Sequence, residues 1–379
     1  MHFQLVGLEC PCTSQPHRNH SIACTRFFQL HKVLRPGEFK YTVFTVPTPA
    51  SLASQYDVSI VIVSFNTREV LRECLQSVLL ESADLHAEVL LVDNNSADGS
   101  AQMVEQDFPQ VRLFRSETNL GFGAANNLAL REATGRYFVL LNSDAFFEPG
   151  ALHLAIQHME ATPQCGLGGA RLIGRDGAAQ PSARSFHTIL ADLAVFTGLA
   201  GKFPTSRVFG KLDRTWADRD QAALVDWVPG AFSIIRPDTL RKIGLFDPRF
   251  FLYYEEVDLC RRIKEEGYQI WYWPDIVVIH IGGESSRQLK SLAFSSQAAQ
   301  VVMWRMRSTL LYYRKHHGAQ VYLAKWMEIC LYRLVILRNS LSSSPLRKER
   351  GQRHRTLIAL MKQAWKDTHG GHLSPPRPW

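Results

Sequence analysis

An abrupt change of pattern at Asp57 constrains this chain more than any other feature. From there DVSIVIVSFN runs apolar and rich in β-branched residues, as a strand buried on both faces of a sheet does. A helix is expected next, because Thr67 can cap it and Val70, Leu71, Leu75, Val78 and Leu79 fall on one face at 3.6-residue spacing. The unit then repeats as strand AEVLLVD, a short helix after the turn NNSADGS, strand VRLF, helix GAANNLALREATG and strand YFVLL. Four strands alternating with three helices predict an α/β fold, a parallel sheet with helices on both faces.

In such sheets ligands bind beyond the carboxyl ends of the strands, where polar groups are exposed without breaking the ladder. Those positions hold Asn66, then Asp93 with Asn94 and Asn95, then Asn119, then Asn142, Ser143 and Asp144. Any one of them is explained as a turn former. A polar cluster at every strand end predicts one ligand spanning the sheet edge.

The flanks differ from this block. Residues 1–56 lack a sustained period and end in the Pro-rich VPTPASLASQ, so they read as a poorly ordered arm and linker. Within the arm, Cys10, Cys12, His17, His20 and Cys24 have ligand chemistry suited to zinc but match no zinc spacing. The seven cysteines are an odd number, and Cys74, Cys165, Cys260 and Cys330 lie far apart, which reads as free thiols in a reducing cytoplasm. No apolar run of about 18 residues suggests a spanning helix, and no basic-then-apolar leader suggests secretion.

The net charge of +8 is concentrated near the C-terminus, where Arg305 to Arg355 holds twelve basic residues against Glu328 and Glu349. Trp304, Met306, Leu310, Leu311, Tyr312, Trp326, Ile329, Leu331, Leu334 and Ile336 are interleaved with those cations. Helices lying on an anionic membrane fit this pattern, and so do helices packed on the preceding domain with a solvated basic face; nucleic acid fits less well. The expected organisation is an arm over 1–56, a catalytic α/β domain over 57–286 and a basic amphipathic helical extension over 287–379.

Two segments carry candidate chemistry. Asp144 ends the strand-terminal LLNSD, where a carboxylate can reach Mg²⁺ or Mn²⁺, and His280 ends IVVIH and offers a second ligand. In YYEEVDLCRR the carboxyls of Glu255, Glu256 and Asp258 crowd together, so one is pushed toward a useful basic pKa while Arg261 and Arg262 restrain the shift. The run from Gly121 to Asn126 half-matches a dinucleotide fingerprint. It follows the third strand rather than the first and lacks the last glycine, so a nicotinamide enzyme is disfavoured.

From Asp57 to about Ser286 the chain resembles the family-2 glycosyltransferases of the GT-A fold, and is especially similar to bacterial rhamnosyltransferase-like members that build cell-surface polysaccharide. The resemblance rests on VSIVIVSFNTREVLRECLQSV, LLVDNNSADGS, NLGFGAANN, FVLLNSD, VDWVPGA, GLFDPRFFLYYEEVDLCRR and VIHIGGESS, in that order. It implies a Rossmann-like, mostly parallel sheet and an inverting transfer of a sugar, with rhamnose as the family-level guess, from a dTDP-, UDP- or GDP-sugar to a glycan or lipid-linked hydroxyl. It further implies that Asp93 reads the base with Asn66 and Asn119 nearby, and that Asp144 and His280 hold a divalent metal. Asn142 stands where the family's DXD motif has its first aspartate, which weakens the metal's hold. By the same resemblance Glu256 is the catalytic base with Glu255 as runner-up, Arg262 lies near the diphosphate, and Trp227 and Gly230 line the acceptor side. A cytoplasmic enzyme, peripheral at the inner face of the plasma membrane, is the expected setting. The competing reading is a non-catalytic sugar-nucleotide-binding or scaffold protein at the membrane.

Overall fold

β1 (Tyr56–Ser64) is the centre from which the sheet grows, and its alternating side chains divide the molecule into two cores. Val58, Ile60 and Ile62 face one side, where they pack under α1 (Arg68–Glu81), α2 (Ser100–Asp107) and α4 (Ala151–Ala161). Val61 faces the other, together with α3 (Phe122–Leu130), α7 (Pro237–Ile243) and α8 (Glu255–Glu265). Each fully buried aliphatic side chain of this kind contributes about 1.5–3 kcal/mol relative to exposure. The computed structural model describes residues 55–282, 296–340 and 344–375. The arm and its Cys10, Cys12, His17, His20 and Cys24 cluster lie outside the described residues.

β2 (Ala87–Asp93), β3 (Arg112–Arg115) and β4 (Gly135–Asn142) join β1 in parallel, in the order β3-β2-β1-β4. This is the repeated strand–helix block read from the sequence. The second half completes a mixed sheet. β8 (Phe232–Ile235) runs antiparallel to β4 and to β6 (Cys165–Ile173), and β9 (Gln269–His280) runs parallel to β6 and antiparallel to both β5 (Ala145–Phe147) and β7 (Ala223–Leu224). β9 runs unbroken through Pro274. The register slips between the Ala170–Trp273 and Arg171–Val277 pairs, so Pro274 occupies a bulge where no ladder N–H is needed.

Three long helices end the chain: α9 (Ser296–His317), α10 (Gln320–Ser340) and α11 (Pro345–Asp367), after the short α5 (Ile189–Phe196) and α6 (Leu199–Lys202) earlier in the second half. They share a core with α8, because Met306, Leu310, Tyr312, Tyr313, Ile329 and Met361 pack in the cluster that holds Val257 and Ile263. Six of the ten apolar residues read as membrane-facing (Trp304, Met306, Leu310, Leu311, Tyr312 and Ile329) are interior. The cations beside them also turn inward: Arg305 pairs with Glu328 at 3.2 Å, Arg307 with Asp367, and Lys315 with Asp247 and Asp258. Among the described residues no helix is long and apolar enough to cross a membrane. Cys74, Cys165 and Cys260 are buried free thiols and Cys330 is an exposed one.

Candidate active site

The carboxyl edge of the parallel strands carries one connected polar network. Asp93 ends β2 and is buried; its Oδ2 accepts from Ser96 N at 3.1 Å, while Oδ1 is buried without a partner. An unmet buried acceptor costs about 1–3 kcal/mol, so this oxygen is poised for a ligand's donor. Asn66, held at φ +54°, accepts from Ala97 N at 2.8 Å through Oδ1 and donates its own N–H to Ser96 Oγ at 3.0 Å. Asn119 Oδ1 accepts from Gly121 N at 2.9 Å and from Asn94 Nδ2 at 3.0 Å. Both asparagines therefore shape the loops beside Asp93. Thr67 stands at the start of α1 without capping it; its hydroxyl donates to Ser143 Oγ at 3.0 Å, joining the first and fourth strand ends.

A second group forms where β5 pairs with β9, which sets Ala145 opposite His280. Asp144 Oδ1 lies 3.5 Å from His280 Nε2, and Asn142 Nδ2 lies 3.4 Å from the same nitrogen. Gln180 brackets the histidine: its Nε2 donates to the His280 carbonyl at 2.6 Å, which turns Oε1 to the ring, 2.9 Å from Nδ1. Nδ1 thus carries the proton and, in the neutral ring, Nε2 presents a lone pair on the Asp144 side. Among the described residues no group of three or more His, Cys, Asp or Glu forms a complete metal cage. One carboxylate and one imidazole do suit Mg²⁺ or Mn²⁺, whose remaining positions are taken by waters and phosphate oxygens.

The third group is built by a strained entry to α8. Tyr253 and Tyr254 both take left-handed backbone conformations, at φ +69° and +68°. For bulky residues this costs about 1–3 kcal/mol each, a cost tolerated where it aims functional groups. The bend starts α8 at Glu255 and Glu256, and Oε2 of each is buried without a partner. Gly121 secures the bend from the other side. At φ +79° it leaves room for Phe251 O, which accepts from Phe122 N at 3.0 Å and would lie 2.1 Å from an added Cβ. The glycines of the 121–123 run thus serve backbone packing, since a Cβ on Gly123 would meet Phe246 and Glu255. Gly230 keeps the space before Glu256 open, its nearest neighbours being the Phe122 ring and Glu256 Cβ.

Sequence reading missed three residues, two that complete this group and one that belongs with His280. Arg184 is brought in by a β-bridge to Trp227, lies 4.5 Å over the Trp227 ring, and pairs with Asp213 at 2.5 Å, yet its Nε is buried without a partner. His187 donates from Nδ1 to Asp192 Oδ1 at 2.7 Å, Asp192 Oδ2 accepts from Tyr313 Oη at 2.6 Å, and the imidazole packs on Tyr254. The third is Gln180. All three belong to QPSARSFH, an aperiodic segment whose only signal was its density of hydrogen-bonding side chains. Trp227 is buried and donates Nε1–H to Ser185 O at 2.8 Å, so it forms the floor under Arg184.

Electrostatics separate the two glutamates. Burial pushes the Glu255 carboxyl well above the usual range, and the charge of Glu256 adds to this. Burial also raises Glu256, but Arg184 and His187 draw it back toward ionisation. Of the pair, Glu256 is the one held ready to ionise, with Glu255 keeping the proton. Replacing Arg184 by Gln is expected to move the acidic limb of the kcat/KM–pH profile to higher pH, because the removed cation favours the Glu256 carboxylate. An unmoved limb would show that Arg184 does not act on Glu256, and Arg184→Lys should restore part of the shift.

Arg262 and Asp258 point away from this group. Arg262 donates to Asp258 Oδ2 at 2.9 Å and to the carbonyls of Ile243, Gly244 and Leu245, so the structure places its guanidinium in the α7–α8 junction rather than toward the strand-end edge.

The chain is similar to known glycosyltransferases. Residues 59–212 match Glycosyl transferase family 2. The chain is 28% identical over 232 residues to the N-acetylglucosaminyl-diphospho-decaprenol L-rhamnosyltransferase of Mycobacterium tuberculosis, covering 58% of this chain and 75% of that protein. It is 25% identical over 272 residues to the rhamnosyltransferase WbbL of Escherichia coli, covering 67% and 92%. Among solved structures, a mannosyltransferase from Pyrobaculum calidifontis in complex with GDP-Man and Mn²⁺ matches with a TM-score of 0.48 at 16% identity, over 84% of this chain and 88% of that one. Residues 59–212 are a glycosyl transferase family 2 domain, and the chain that carries them is a glycosyltransferase.

Proposed function

We propose that this enzyme transfers a sugar, rhamnose in the closest fit to its named relatives, from a nucleotide-sugar donor to a hydroxyl of a glycan or lipid-linked acceptor in cell-surface polysaccharide synthesis, with inversion. The observation that carries the proposal is the buried Glu255–Glu256 pair, whose Oε2 atoms lack partners at the head of α8. Glu256 Oε2 takes the acceptor hydroxyl proton as that oxygen bonds to the anomeric carbon, and the bond from that carbon to the diphosphate oxygen breaks with its electron pair leaving on the diphosphate. Asp93 Oδ1 accepts from a donor N–H of the base, and Asn66 and Asn119 hold the loops that shape that pocket. Asn142, Asp144 and His280 sit at the diphosphate side, with Trp227 and Gly230 toward the acceptor.

Asp144 and His280 would hold Mg²⁺ or Mn²⁺, which when bound neutralises charge on the departing diphosphate. Gln180 orients the histidine for that role. Gln180→Leu is expected to weaken Mn²⁺ binding about 10–100-fold, as lost outer-shell partners do, measured by the free-Mn²⁺ electron paramagnetic resonance signal with the nucleoside diphosphate present. Unchanged affinity would mean that another group orients His280.

The test of the proposal is nucleoside-diphosphate release from dTDP-, UDP- and GDP-sugars with Mg²⁺, Mn²⁺ or EDTA, with and without a lipid-linked acceptor. One preferred donor, with release stimulated by metal and acceptor, supports it. Donor binding without transfer to any hydroxyl acceptor overturns it.

A further inference from the structure

α10 is apolar on two opposite faces, and among the described residues only one of them is covered. Val321, Ala324, Ile329 and Tyr332 pack into the core, while on the other side Leu323, Trp326, Leu334 and Leu337 are 48–63% exposed. A helix whose outer face is this apolar is normally buried against something.

The neighbouring charge identifies what that is. α11 lies antiparallel on α10, as the Tyr322–Trp365 and Tyr332–His354 ring contacts at 5.2 and 5.6 Å require. The start of α11 therefore sits beside the end of α10, bringing Leu346, which is 78% exposed, and the cations Arg347, Lys348 and Arg350 next to Leu334, Leu337, Arg333 and Arg338. Unlike Arg305, Arg307 and Lys315, these five cations pair with no described acid.

We infer that the outer face of α10 and the first turns of α11 dock the enzyme on an anionic lipid surface, the aliphatic side chains entering the headgroup region and the cations meeting the phosphates. Nucleic acid would leave the leucines without an apolar partner. A second copy pairing like face to like face would oppose two basic clusters. α5, which starts beside His187, packs on α10 and links this surface to the Glu256 side of the molecule.

The test uses the full chain with phosphatidylcholine vesicles lacking or containing phosphatidylglycerol, read by co-sedimentation, with nucleoside-diphosphate release as a check that the site is intact. Binding is expected only with the anionic lipid, weakened by salt. Arg347→Gln with Lys348→Gln and Arg350→Gln should lower it about a hundredfold, at about fivefold per charge. Leu334→Glu with Leu337→Glu should abolish it while the circular dichroism spectrum and soluble-donor turnover persist. Equal binding to neutral vesicles, indifference to both variants, or a concentration-dependent dimer that Leu334→Glu with Leu337→Glu dissolves would each overturn the assignment. Vesicle binding is read without any acceptor, so its failure is separable from a failure of the transfer reading.

Discussion

Glu256→Gln is expected to lower kcat for sugar transfer about 10²–10⁴-fold, the usual contribution of a positioned general base, with donor affinity nearly unchanged. The amide preserves the size of the side chain and removes its ability to take the acceptor proton. Because burial raises the Glu256 carboxyl, the wild-type rate should fall on acidification while the pH is still above the ordinary carboxylate range, and the residual rate of the variant should not share that limb. Glu255→Gln should behave differently. Its carboxyl is raised further, so folding favours its protonated form, and the stability this lends at low pH is lost as the pH climbs through the raised value. Removing it should therefore stabilise the protein at neutral pH, seen as a higher denaturation midpoint, and keep most of the activity. Loss of transfer in Glu255→Gln with retention in Glu256→Gln would exchange the two roles.

Legibility in the sequence followed the range of the forces involved. β1 to β4 and α1 to α3 were readable because local period decides which face is buried, and Asn66, Asp93, Asn119 and Asp144 followed because strand ends fix where polar groups emerge. Gln180, Arg184 and His187 were not readable, since an aperiodic segment is positioned by partners far along the chain: Arg184 by Trp227 and Asp213, and Gln180 by His280. Pro274 lies inside β9 because a proline is tolerated in a ladder at a bulge, and a bulge is a property of the pairing rather than of the strand. Arg262 was given a catalytic side by its place in the motif, whereas the carbonyls at the end of α7 claim it. Of the two settings open for the helices after residue 295, packing on the preceding domain holds for the face where acids such as Asp247 and Glu328 fold against their cations, an arrangement that no local period reveals.

Those distant acids make Asp258→Ala the second large effect. Asp258 follows Glu256 by two residues, so on α8 it faces the opposite way, and it is fully buried. It accepts from His316 Nε2 at 2.7 Å, Lys315 Nζ at 2.6 Å and Arg262 Nε at 2.9 Å, tying α9 to the back of the helix that carries the glutamates. Ser308 Oγ, donating to Leu252 O at 2.8 Å, and Tyr313, bonded to Asp192, add to that brace. Removing the buried carboxylate leaves the partly buried Arg262 and Lys315 without their counter-charge, which costs about 3–5 kcal/mol, and it frees α8 to shift, so transfer should fall along with the urea midpoint. Burial opposes ionisation of Asp258, but the His316 hydrogen bond and the Arg262 and Lys315 charges outweigh it and hold the carboxyl below its ordinary value; Asp247 is held low by Arg249 and Lys315 against the same opposition. A depressed carboxylate lends stability that is complete above the unfolded value of about 3.9 and is lost as the pH falls through the folded value. The wild type and Asp258→Ala should therefore differ most near neutrality and converge in strong acid. A loss below about 1 kcal/mol at neutral pH, within the range of an exposed ion pair, would mean that α9 is held to α8 by its apolar face alone.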